Sequence, residues 1–127
     1  MRLHSRRHLH WLGVAVVVVV VVSVAGYIGY RKWSEVHQAR IIHAKQLVAT
    51  VAQRLEERRQ QGRPLPANAT ELANVLGGAV PTSPWGRPLS YQRLRNDFTV
   101  FTMTPWPEVL VIHYDSRDAD GVRTFPF

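Results

Sequence analysis

Trp11 to Ile28 is an uninterrupted apolar run in which only Ser23 carries a polar side chain. Eighteen residues at the helical rise cover about 27 Å, close to the thickness of a bilayer's hydrocarbon core. Val16 to Val22 is a pure valine tract. In water such a tract favours strand or aggregate. In lipid a helix satisfies every backbone group internally, so helix is the state expected. Trp11 at one end and Tyr27, Tyr30 and Trp33 at the other have the placement of interfacial aromatics. The sequence therefore predicts a transmembrane helix over residues 11–30, after a basic tail over 1–10.

A second reading of the same run is a secretory signal. Arg2, Arg6 and Arg7 form a basic start, Leu12 to Val22 an apolar middle, and Ser23-Val24-Ala25 the small-x-small pattern that permits cleavage after Ala25. The continuation of the run through Gly26-Tyr27-Ile28 favours retention. Lys and Arg flank both ends, but a short basic tail before a long following domain is the usual signal-anchor layout. The N-terminus is accordingly expected on the cytoplasmic side.

The net charge of +7 is unevenly spread. Arg2, Arg6, Arg7, Arg31 and Lys32 face no acid within residues 1–33, whereas residues 64–127 are close to neutral. Positive charge around the apolar run suits anionic lipid headgroups, so a membrane is the expected partner and nucleic acid is not. With no cysteine there is no disulfide framework, thiol nucleophile or thiolate zinc site.

From Arg31 to Gln61 the residues are good helix formers, and no proline occurs before Pro64. Ile41, Ala44, Val48, Val51 and Leu55 follow spacings that place them on one helical face, widened by Leu47 and Ala52. The pattern predicts an amphipathic helical stalk over 31–62, ended by Gly62 and Pro64. The remaining residues, 63–127, must form a small C-terminal domain. Asn68 with Glu71 three residues on reads as a cap for a short helix, Ala69 to Leu76. Asn68-Ala69-Thr70 is also a glycosylation sequon. Pro81 to Pro88 is a turn cluster. Leu89–Arg93, Phe98–Met103 and Val109–Tyr114 read as three strands of an antiparallel meander, followed by an acidic loop. The fold class expected is α+β: one long helix, half transmembrane and half amphipathic, packed on a small antiparallel sheet.

No histidine pair has ligand spacing with a supporting acid, no nucleophile elbow is present, and no glycine-rich phosphate loop occurs. The chain is expected not to be an enzyme. Asp115, Asp118 and Asp120-Gly121 gather the hard oxygen ligands that Ca²⁺ needs, in a spacing unlike an EF-hand, and a solvated loop is the competing reading.

Ser83-Pro84-Trp85-Gly86-Arg87-Pro88-Leu89-Ser90-Tyr91, followed by Asn96 to Thr102, resembles the C-terminal domain of type II secretion major pseudopilins, within the type IV pilin-like proteins. Pro84, Trp85, Gly86, Pro88 and Tyr91 match that family's structural turn, Ser83 stands where it usually has Asp, and Leu89 where an aromatic is frequent. The resemblance implies a pilin-like fold and single-pass residence in a bacterial inner membrane with the C-terminal domain periplasmic. It also implies other pilin-like or secretion-system subunits as partners and Ca²⁺ in the acidic loop. It implies processing after a glycine; Gly13, followed by Val14, is the corresponding position, with Val18 where the family has Glu. Two other functions fit the residues: an anchored or secreted extracytoplasmic binding module, and a DNA-contacting minor pilin using Arg54, Arg58, Arg59 and Arg63.

Overall fold

A computed structural model describes residues 2–106, 108–118 and 120–127, with the backbone alone for 2–8. Helix α1 spans Arg2–Gln60 and α2 spans Ala69–Val75; the strands are β1 (Ser90–Leu94), β2 (Asp97–Met103), β3 (Leu110–Asp115) and β4 (Val122–Pro126). The architecture is the α+β arrangement expected from the sequence, with the order β1-β2-β3-β4 in one antiparallel sheet.

The chain divides into two compact units, Met1–Gln38 and Ala39–Phe127. In the first, every described side chain from Leu9 to Trp33 is exposed, valine tract included. A helix apolar and exposed on all sides suits lipid rather than water. Near its end Trp33 stacks on His37 at 5.0 Å.

The boundary of the second unit falls inside the 31–62 segment rather than at its end. The reason is the apolar stripe. Ala44, Val48 and Leu55 have no exposed surface, and Ile41, Val51 and Ala52 are almost as deeply buried. These residues share one core with Leu65, Leu72, Leu89, Phe98, Val100 and Ile112. Residues from Ala39 onward therefore belong to the second unit, the amphipathic half of the helix packing on the sheet as the sequence predicts.

Helix α1 ends in a Schellman turn. Arg63 N–H donates to the Arg58 carbonyl, and Gly62 N–H to that of Arg59. Gly62 takes φ +73°, a conformation glycine adopts without steric cost. Asn68 caps α2 as expected, its Oδ1 accepting from Glu71 N–H at 3.0 Å. Glu71 reciprocates one residue earlier than a standard capping box, accepting from Ala67 N–H at 2.7 Å.

The three expected strands lie within one residue of their predicted bounds, but the sheet has a fourth. Strand β4 pairs with β3 through Leu110↔Pro126 and Tyr114↔Val122. It is an edge strand and four of its five residues are exposed, so it lacks the alternating apolar signal of a half-buried strand. Pro126 is tolerated because an edge strand has a free side. On the core face of the sheet, Tyr91 and Tyr114 flank Val100 in register, and Phe98 lies diagonal to both. Its ring centroid is 6.4 Å from Tyr91 and 5.7 Å from Tyr114, giving an aromatic row across three strands.

Candidate functional site

One stretch of the chain is built for an environment other than water. A helical segment beginning at Leu9 is long and apolar enough to cross a membrane, and its most hydrophobic window has no buried residue. Trp11, Tyr27, Tyr30 and Trp33 are all exposed on it. Gly13 and Ala25, the two candidate processing positions, both lie inside helix α1 and are exposed.

The turn over residues 83–88 is a closed structure. Gly86 N–H donates to the Ser83 carbonyl at 2.9 Å, Ser83 N–H to the Arg87 carbonyl at 2.7 Å, and Thr82 bridges to Pro88. Gly86 stands at φ +81°, where a side chain would be strained. Trp85 packs against the core but is half-buried, less enclosed than the apolar stripe it accompanies. Tyr91 leaves the turn region and donates its hydroxyl to the Pro66 carbonyl at 2.6 Å. That bond ties strand β1 to the linker after α1. Ser83 is buried, and its hydroxyl has no hydrogen-bond partner among the described residues.

A polar network that no sequence motif announces joins α1 to the sheet. Tyr114 donates to Glu56 Oε1 at 2.8 Å. Arg59 bridges Glu56 at 2.7 Å and Asp97 at 3.0 Å. Asp97 Oδ1 also accepts from the Ser116 hydroxyl, which in turn accepts from Phe98 N–H. Tyr114 and Glu56 are 58 residues apart in sequence, so only the fold brings them together. The signal available beforehand was thin: an acid and a base three apart at the end of the helix.

The carboxylates of the acidic loop are paired with arginine. Asp115 accepts a forked pair of hydrogen bonds from Arg117, at 3.0 and 2.7 Å. Arg123, on β4, engages both Asp118 and Asp120. Among the described residues no group of three His, Cys, Asp or Glu side chains is placed to hold a metal ion. Asp115, Asp118 and Asp120, the carboxylates that the sequence offers to Ca²⁺, face guanidinium groups here. Two guanidinium groups take the carboxylate oxygens that a hard cation would need. The unexpected strand is the cause, since β4 carries Arg123 back to the loop.

These contacts set the pH response. The Arg117 hydrogen bond holds the Asp115 carboxyl down at about 2. Burial, followed by the hydrogen bond to Glu56, pushes the Tyr114 hydroxyl up to about 12. A depressed carboxylate contributes stability that is complete above its unfolded value near ~4 and fades as pH falls toward the folded value. A raised phenol contributes stability that is complete below about 10 and fades as pH rises toward its folded value. Melting temperatures across pH should thus fall off at both ends, with Asp115→Asn flattening the acid limb and Tyr114→Phe the alkaline one. Because Arg117 is exposed, the acid effect is small. Limbs unchanged in both variants would mean that neither contact holds in solution.

The chain matches no family model, no curated protein and no solved structure.

Proposed function

We propose that this chain is a single-pass, pseudopilin-like structural subunit of a bacterial secretion or pilus-type assembly, acting by packing and not by catalysis. The observation that carries this reading is the division of labour along α1. The segment from Trp11 to Ile28 is apolar and exposed on every face, and the last third of the helix supplies one wall of a sheet's core. A helix of that kind has an intramembrane surface left over for other helices, which associate in lipid through packing and small residues. Gly13, Ala15, Ala25, Gly26 and Gly29 supply such small positions. The turn at Pro84-Trp85-Gly86 and the tyrosine at 91 serve the core, as the resembled family uses them. This reading puts the domain on the periplasmic side and Arg2, Arg6 and Arg7 in the cytoplasm, in keeping with the signal-anchor layout of a short basic tail before a long following domain.

The absence of cysteine makes a direct test simple. A single Val18→Cys substitution, followed by oxidation in intact membranes, should yield disulfide-linked dimers if the spans pack side by side. N-terminal sequencing of the same material locates any processing at Gly13. A span that stays monomeric under oxidation, with its domain released as a soluble form beginning at Gly26, supports the binding-module reading instead.

A further inference from the structure

The end of α1, the linker and the β1–β2 turn converge on one arginine-rich surface within the second unit. Arg58 Nε donates to the Pro64 carbonyl at 2.7 Å. Arg93 reaches the Leu65 carbonyl at 3.5 Å and the Arg95 carbonyl at 3.0 Å. These bonds hold the linker between helix and hairpin, so that adjoining grooves are lined by Arg54, Arg58, Arg63, Arg93 and Arg95 over a floor containing Leu65 and Val75. Arg54, Arg63 and Arg95 are exposed, and their guanidinium groups make no hydrogen bond or ion pair among the described residues. Arg95 is also the one non-glycine described at positive φ, +58°, a turn position that glycine or asparagine fills more easily.

The charge there is not balanced locally. Glu56 and Asp97 are already held by Arg59. Only Glu57 and Glu71 line the same grooves, and Glu71 is engaged by Ala67 N–H. Nor does the chain offer a complementary patch of its own. Asp115, Asp118 and Asp120 are paired with Arg117 and Arg123, three carboxylates with two guanidinium groups, so the loop of a second copy presents little free negative charge to dock. No aromatic side chain lines the grooves, and single-stranded nucleic acid binding relies on such rings for stacking. Guanidinium forks beside an aliphatic and proline floor fit carboxylates carried on a peptide.

We infer that this surface docks an acidic segment of another protein. The inference does not depend on the pseudopilin reading, because it concerns the domain's own charge and not the span. The test uses the full chain in micelles of an uncharged detergent, with fluorescein-labelled oligo-glutamate as probe and oligo-glutamine and oligo-thymidylate of equal length as comparisons. Oligo-glutamate should bind, and its affinity should fall as ionic strength rises. Arg63→Gln with Arg95→Gln should weaken it about tenfold, as removal of two charge contacts implies. Arg54→Gln with Arg63→Gln, both on ordinary backbone, should weaken it similarly, with an unchanged near-ultraviolet spectrum. Substituting Arg2, Arg6 and Arg7 with Gln should leave it unaltered. Equal binding of oligo-glutamine, or loss of binding in the Arg2, Arg6 and Arg7 variant in place of the groove variants, overturns the inference. Tighter binding of oligo-thymidylate than of oligo-glutamate overturns it too, and assigns the surface to nucleic acid.

Discussion

Val18→Arg combined with Val20→Arg is expected to release the chain from the membrane fraction, whereas the parent protein stays there through high-salt and alkaline washing. The two positions lie near the middle of the apolar run and about 200° apart around the helix, so the charges leave on nearly opposite faces. Each arginine at a helix centre costs about 2.5–3.5 kcal/mol on insertion scales, so the pair costs roughly 5–7. An apolar residue returns only about 0.3–0.6 kcal/mol on the same scale, so two arginines offset most of what the remaining run supplies. The second unit holds none of the residues from Trp11 to Ile28, so its melt should be unaffected. Recovery of the parent protein in the soluble fraction, starting at Gly26, would show that the run is a cleaved signal and would sink the anchor.

Much of this organisation is legible in the sequence because it rests on local periodicity. The stripe from Ile41 to Leu55 reports its own burial at helical spacing, and the structure buries each of those residues. Asn68 with Glu71 announces a helix start, and a cap needs nothing beyond its own four residues. What escapes is non-local. Strand β4 buries little and contains a proline, so nothing in Val122 to Pro126 distinguishes it from a loop until β3 is beside it. The pairing of the acidic loop with arginine escapes for the same reason. Arg117 beside Asp115 was visible, but Arg123 becomes a partner of Asp118 and Asp120 only once β4 has paired. The arginine surface is likewise half legible. Arg54, Arg58 and Arg63 cluster in sequence, while Arg93 and Arg95 join them through the hairpin. The turn at Trp85 is intermediate: its backbone closes as the residue types suggest, while the half-burial of the indole against the core follows from packing that the turn residues do not encode.

Phe98→Ala should produce the largest loss of stability of any single truncation in the domain. Phe98 is fully buried and is the largest such side chain among the described residues. It stands between Tyr91 and Tyr114 on the core face of β2, a strand with partners on both sides. Truncating a buried phenylalanine removes its transfer free energy and leaves a cavity, together about 3–5 kcal/mol. The two tyrosines have little freedom to collapse into the space. Tyr91 is held by the Pro66 carbonyl and Tyr114 by Glu56. The cost therefore belongs at the upper end of that range. Set against a total stability of about 5–15 kcal/mol for a typical domain, it leaves a large part of the population unfolded near physiological temperature. In a thermal melt of the full chain in detergent, the midpoint should drop by about 15 °C or more. Phe101→Ala, on the opposite face of the same strand and half-exposed, is the control and should cost much less. Equal losses in the two variants would mean that the sheet does not present this face to the helix. An unperturbed Phe98→Ala melt would mean that the core assembled from Ile41 to Ile112 is not the one that holds the domain together.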